Sequence, residues 1–392
     1  MNKLPDGWKI KKLKDICTIQ DGIHKTPKYT SKGIKFVSVE NINDLYNSNK
    51  FISEEDYNKM YKIKAKKNDI FMTRIGDIGT PAILNKDEKL AYYVTLCLFT
   101  NIDEEVFNKY LYYAIQSNYF KKELYHRTLH VAFPKKINLG DIGDCKFILP
   151  TLDEQKRIAS ALSKIDAYLE NTIKLIEEKE RFKRGIAKKL LTCKEGENIP
   201  ESRFKGFEDE WETKTLSSIS NIKKGEQKNK LDLIADGKYP VLNGGMNFSG
   251  YCNSYNREAN TITISEGGNA GYVNFIKEKF WSSGHCYTLH DLKIDKYFLY
   301  QCLKNSEKRL MKLQLGTALK NIRQSEIVEF ELNIPKSIKE QEKIGGYLSL
   351  LDKEIDNLKK QKELIKEMKR GAMQKLLSGE VRLSKNAFNE NI

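Results

Sequence analysis

The sequence predicts an α+β protein: two mixed α/β globules joined by two long helices that pair as an antiparallel coiled coil, in a pseudo-two-fold internal repeat. Three observations lead there. A stretch of about forty residues occurs twice, its apolar residues recur at three- and four-residue steps, and β-rich runs broken by Gly and Asn turns fill the rest.

The repeat is anchored at two places. Pro150-Thr151-Leu152-Asp153-Glu154-Gln155 returns as Pro335 to Glu340-Gln341 with one residue inserted after the proline, and from there the offset holds at 186 (341 − 155). Phe182-Lys183-Arg184-Gly185 thus matches Met368-Lys369-Arg370-Gly371, and Leu190-Leu191 matches Leu376-Leu377. At the front, Trp8, Leu13 and Ile16 match Trp211, Leu216 and Ile219 at an offset of 203 (211 − 8). Between the anchors only echoes remain: Lys109–Tyr113 with Lys296–Tyr300, and Ile78-Gly79 with Ala270-Gly271.

In chain order, residues 1–150 form the first globule. Runs such as Ile34–Val39 and Asp69–Thr73 read as strands, and Phe107 to Leu124 reads as helix whose aromatic stripe is core. The first long helix, 151–192, opens with a capping box, Thr151-x-x-Glu154, and carries a stripe of Ile158, Leu162, Ile165, Leu169, Ile176, Phe182, Ile186 and Leu190. Residues 193–206, with Gly196 and Pro200, read as a linker. The second globule, 207–335, carries the strand Thr261–Ile264 and a helical pattern from Asp295 to Leu313.

The second long helix, 336–379, opens with Ser337-x-x-Glu340 and carries Ile344, Leu348, Leu351, Ile355, Leu358, Ile365, Met368, Ala372 and Leu376, with Gly379 as its C-terminal cap. Residues 380–392 read as a polar, frayed tail. A forty-residue helix is roughly 60 Å long, and a single apolar stripe along it needs a partner. The other copy is the obvious one, giving an expected dumbbell with a coiled-coil bar.

Composition restricts the function. Lys and Arg number 68 against 53 Asp and Glu, a net charge of +15 in 392 residues, which suits a polyanionic partner. No apolar run approaches a membrane span, the N-terminus lacks a signal-peptide core, and seven scattered cysteines suit a reduced, cytoplasmic protein. Catalytic signals are missing: no Gly-x-Gly, no Walker loop, no Pro-Pro dipeptide and no nucleophile elbow. Glu212 and Lys214 only superficially resemble a nuclease pair. His285-Cys286, His290 and Cys252 lack metal-ligand spacing and read as structural. No cofactor and no metal is expected.

Reading DNA in a groove needs donors on a rigid frame, with neighbouring cations on phosphates. In the first globule the candidates are Lys25 and Lys28 in an early loop, Arg74 and Asp77 in the turn after a strand, and Lys135 with Lys136. In the second they are Lys223, Lys224, Lys228 and Lys230, then Asn243 and Asn269 in glycine-rich turns, and Lys320, Asn321 and Arg323.

A Trp-led start, a variable region and a Pro/Glu-Gln helix ending in Lys-Arg-Gly and Leu-Leu, all doubled, resemble the specificity subunit of Type I restriction-modification systems. The matching residues are Pro150, Glu154-Gln155 and Arg184-Gly185 with Pro335, Glu340-Gln341 and Arg370-Gly371, and the likeness spans nearly the whole chain. It implies a non-catalytic subunit that binds double-stranded DNA at a split site, joins two modification subunits and, in the restriction complex, two motor-nuclease subunits. A methylation-only or fused-enzyme system, and a coiled-coil scaffold that does not bind DNA, are the alternatives.

Overall fold

A computed structural model describes residues 4–316 and 320–383. The expected frayed tail therefore lies largely outside the described residues, as do Met1–Lys3 and Thr317–Leu319. By its internal contacts the chain divides into two units, Met1–Asn171 with Lys362–Ile392, and Thr172–Gln361.

In the first unit a four-stranded antiparallel sheet has the order Thr18–Asp21, Leu96–Thr100, Ile70–Ile75, Asp77–Ile83. A second sheet sets Ile34–Val37 parallel to Leu90–Tyr92, with Phe51–Ile52 on its other side. A ribbon pairs Lys9–Lys12 with Lys146–Leu149. The second unit repeats this plan. Its four-stranded sheet runs Asn221–Lys224, Cys286–His290, Thr261–Ser265, Val273–Ile276, its second sheet sets Tyr239–Leu242 parallel to Trp281–Ser282, and its ribbon pairs Glu212–Thr215 with Glu331–Ile334. Ladder partners then define equivalent positions. Thr18↔Thr100 corresponds to Asn221↔His290, and Thr73↔Leu96 to Ser265↔Cys286.

The expected helical stretch from Phe107 breaks at Ser117, whose hydroxyl caps a new helix by accepting from the Phe120 amide, giving Asn108–Ile115 and Asn118–Arg127. Its counterpart in the second unit is Lys296–Asn305. Here the structure corrects the sequence register by one residue. The Gln155 side-chain oxygen accepts from the Phe107 amide at 2.8 Å and that of Gln341 from the Asp295 amide at 2.9 Å, so Phe107 pairs with Asp295 and Tyr110 with Phe298.

The long helices run Leu152–Leu191 and Ile338–Ser378. Within each unit, stretches of the two helices pair antiparallel. In the first, Ile158, Ala159 and Leu162 share a core with Leu376, Leu377 and Trp8, and in the second, Ala187, Leu190 and Leu191 share one with Ile344, Leu348, Leu351 and Trp211. Fully burying one such leucine contributes about 1.5–3 kcal/mol. Ile355 is buried, while Ile165, Leu169, Ile186 and Leu358 are half-buried. Gly379 adopts φ +78°, and a Cβ there would lie 2.6 Å from Pro5 Cγ, so the cap position admits only glycine.

Two members of the expected stripe are not in it. Phe182 and Met368, equivalent in the repeat, are 52% and 49% exposed. The next residues take the seam: Lys183 reaches Asp352 at 2.5 Å and Lys369 reaches Asp166 at 2.6 Å. A lysine can bury its methylene stem on an apolar seam while its ammonium meets a carboxylate, which a hydrophobic pattern does not register.

The capping glutamates are also redirected. Glu154 accepts from Thr151 Oγ1 (3.0 Å), Trp8 Nε1 (3.0 Å) and Arg382 (2.7 Å), whereas Glu340 takes a two-pronged Arg203 (2.7 and 2.8 Å) and Trp211 Nε1 (3.4 Å). The glutamines beside them close the helix starts, Gln155 Nε2 donating to the Pro150 carbonyl and Gln341 Nε2 to that of Pro335. Burial pushes the Glu154 carboxyl up, and the Arg382, Thr151 and Trp8 hydrogen bonds outweigh it, leaving it below the ordinary carboxylate range. Among the described residues no helix is long and apolar enough to cross a membrane.

Candidate nucleic-acid interface

Each head carries a polar cluster at the same end of its four-stranded sheet. In the first, the strand Ile70–Ile75 delivers Arg74 beside Asp21, the last residue of Thr18–Asp21. Arg74 is buried. Its Nη1 lies 3.4 Å from Asp21 Oδ2 and donates to the Val94 carbonyl at 3.1 Å, and its Nε donates to the Ile137 carbonyl at 3.1 Å. Arg74 thus engages Nε and Nη1 inside the protein, tying a strand to the 135–137 segment. His24 Nε2 lies 2.9 Å from the same Asp21 oxygen.

Past Arg74 the chain turns at Gly76, at φ +82°, and exposes Asp77, whose Oδ2 accepts from Thr80 Oγ1 (2.6 Å) and Thr73 Oγ1 (3.3 Å). Lys135 and Lys136 come alongside. The Gly76 amide donates to the Lys135 carbonyl at 2.8 Å, and Lys136 bridges to Ile75 and Leu129. Asp77, Lys135, Lys121, Tyr125 and His130 line a cavity of about 430 Å³.

The second head builds the equivalent place from different residues. Lys224 takes the position of Asp21, both being the fourth residue of the first sheet strand, and Glu266 follows Ser265 as Arg74 follows Thr73. The ion pair persists with its signs reversed: Lys224 Nζ meets Glu266 Oε1 at 2.6 Å, and Tyr287 OH donates to the same oxygen at 2.9 Å. Burial raises the Glu266 carboxyl, and the Lys224 and Tyr287 hydrogen bonds more than reverse that. His285 Nδ1 stands 3.4 Å from Oε2 without hydrogen-bond geometry, so Oε2 is a buried oxygen with no donor on it.

Gly267 and Gly268 then turn the chain so that Asn269 occupies the place of Asp77, and Lys320 and Asn321 the places of Lys135 and Lys136. The same backbone bond marks both: the Ile137 amide donates to the Arg74 carbonyl (3.1 Å) and the Ile322 amide to that of Glu266 (2.9 Å). Asn269, Lys320, Asn321 and Arg323 are exposed, Arg323 capping the short helix Gln324–Val328. Asn243 lies in the neighbouring glycine turn, its side-chain oxygen buried without a hydrogen-bond partner.

The remaining candidates lie apart. Lys228 sits over the Trp281 ring at 3.9 Å. The exposed side chains of Lys25, Lys28, Lys223 and Lys230 make no hydrogen bond or ion pair to either cluster among the described residues. Glu212 and Lys214 pair with each other at 3.2 Å on the ribbon. Burial pushes the Cys286 thiol up to about 11 and holds His290 below its usual range, and among the described residues no group of three His, Cys, Asp or Glu could hold a metal ion.

Sequence reading offered neither Asp21 nor Glu266 as a binding residue and took His285 as structural. A signal for the first existed: Asp21-Gly22 and Lys224-Gly225 share the 203-residue offset of the two tryptophans. Both glycines are required by close approach, since a Cβ would stand 2.1 Å from the Tyr92 carbonyl oxygen or 2.2 Å from that of Ser283.

One strand order used twice, each time closing on a helix that starts with Glu-Gln, defines a duplicated protein that presents two variants of one surface site. The comparisons identify which such family. The chain belongs to the Type I restriction modification DNA specificity domain family, whose model matches residues 5–178 and again 208–367. It is similar to a protein of Mycoplasma pneumoniae described as a putative type I specificity subunit, 40% identical over 38% of this chain and 40% of that one. A Mycoplasma genitalium counterpart is 33% identical over 43% of this chain and 45% of its own length. These two alignments thus span less than half of each relative. A Methanocaldococcus jannaschii protein described as a putative type I restriction enzyme specificity subunit aligns over 98% of this chain and 96% of its own, at 26% identity. The crystal structure of a Type I restriction-modification S subunit from M. genitalium shares the fold, with a TM-score of 0.65 at 20% identity over 96% of this chain and 97% of that one.

Proposed function

We propose that this chain is the DNA-reading specificity subunit of a Type I restriction-modification complex in the cytoplasm. It binds double-stranded DNA at a bipartite target, one half per head, and performs no chemistry. Methyl transfer and restriction belong to its partners, two modification subunits and, in the full complex, the restriction subunits. It needs no cofactor of its own.

The observation that carries this reading is the pair of equivalent clusters. The backbone frame is the same in both heads, while the exposed side chains on it differ, Asp77 against Asn269 and Lys136 against Asn321. A shared frame with divergent polar tips suits a protein that meets the same duplex backbone twice and two different base sequences. The net charge of +15 supplies the sequence-independent attraction.

The experiment is a head exchange read by methylome sequencing in cells that also carry the modification partner. Replacing residues 207–334 with a foreign head changes one half of the methylated site. Alteration of both halves would overturn independent reading, and loss of any split site in the unmodified protein would overturn the function.

A further inference from the structure

We infer that Lys136 in the first head and Asn321 in the second are base readers. The first half-site then carries a guanine, and the second an adenine, at the step each side chain faces. The inference rests on the DNA-reading function proposed above and goes beyond it by assigning the reader and the base.

Within the clusters Arg74 Nε and Nη1 are engaged by Asp21 and two carbonyls, Asp77 Oδ2 by two threonine hydroxyls, and Lys224 by Glu266. Beside Asp77 and Asn269, the exposed pairs at equivalent positions are Lys135 with Lys320 and Lys136 with Asn321. Both pairs lie on the neck of one loop, fixed by the Leu129↔Lys136 and Leu315↔Asn321 bridges and by the amide of the following isoleucine. Neither the Lys136 nor the Asn321 side chain is hydrogen-bonded among the described residues, so their polar atoms stand ready for an outside partner.

The comparison between heads then separates the two pairs. Successive residues of an extended neck point to opposite sides. The position that is lysine in both heads, 135 and 320, suits what both half-sites share, the phosphate chain. The position that changes, 136 and 321, suits what differs between them, the bases. In the second head space is cleared for the amide: a Cβ on Gly267 would stand 2.5 Å from Asn321 Oδ1, so the glycine leaves that oxygen its place, where the first head has Ile75. An asparagine amide accepts from adenine N6 and donates to N7, whereas an ammonium donates to guanine O6 and N7.

The test uses the full chain assembled with its modification subunits, read by methylome sequencing and by competition binding with duplexes that vary one base pair at a time. Asn321→Ala should relax one adenine position of the second half-site, lowering discrimination there on the order of 10- to 100-fold and leaving the first half unchanged. Lys136→Ala should relax one guanine of the first half-site. Asn321→Lys should turn the adenine requirement toward guanine, and Lys320→Ala should weaken all sequences alike and lower the salt slope by about one. Both readers are exposed and held by backbone alone, so the variants keep the parent melting temperature. Should Asn321→Ala melt lower, the same-sized Asn321→Asp carries the test by removing the donor. If the parent target is bipartite and both alanine variants keep every position, or relax a base other than those named, the assignment is overturned while the DNA-reading function stands. A parent complex with no split target would overturn the function itself.

Discussion

The two heads place an ion pair at the same joint with the signs exchanged. In the first, Asp21 ends one strand and Arg74 nearly ends its neighbour, with side chains 14% and 8% exposed. In the second, Lys224 and Glu266 stand there at 48% and 13%. The joint needs opposite charges to hold two strand ends under a turn, but it does not need a particular sign on either strand. Arginine also ties down two carbonyls, whereas lysine, a point charge on a flexible stem, leaves its end of the joint in water. The first joint is therefore part of the core and the second part of the surface, although the ladders that carry them to the central strand keep the same register.

The same asymmetry recurs where the long helices begin, and the largest expected effect lies there. Glu340 is 1% exposed beneath a two-pronged Arg203. Arg203→Ala leaves a buried carboxylate and should cost about 3–5 kcal/mol, read as a lowered midpoint in urea. Arg382→Ala should cost roughly 1–2 kcal/mol, because Glu154 keeps its Trp8 and Thr151 donors. Equal losses would erase the distinction.

In the heads, Arg74→Ala should cost about 2–3 kcal/mol by stranding the Ile137 and Val94 carbonyls and leaving Asp21 with His24 alone as its charged neighbour. Lys224→Met, at the half-exposed equivalent, should cost about 1 kcal/mol or less by the same measurement. A Lys224→Met loss as large as that of Arg74→Ala would contradict the surface character of the second joint.

The smallest effect is one of pH. Glu154 has its folded-state value depressed, so its contribution is complete above the ordinary carboxylate value of about 4.5 and is lost as pH falls through the lower folded value. The melting-temperature gap between the parent and Glu154→Gln should be present at neutral pH and close on acidification below about pH 4.5. A gap that widens in acid would mean a raised folded-state value at Glu154.

The repeat, the two helices and the Glu-Gln starts are legible because their causes are local. Residues three and four apart on a helix share a face, and a glutamine five or six residues from a proline can close the turn between them. The seam through Lys183 and Lys369 is not legible as an apolar pattern, since its partners Asp352 and Asp166 lie on the other helix. Nor is the burial of Arg74, whose acceptors at Asp21, Val94 and Ile137 come from three separate segments.

By itself, then, the sequence determined that this protein is doubled, basic and built on paired long helices, because repetition, charge and periodicity survive in one dimension. Which polar side chains are consumed in holding the heads together, and which stand free at their tips, was decided only by the tertiary structure. Strand ladders bring together residues 20 to more than 60 positions apart, and a side chain's availability depends on the neighbours it meets there.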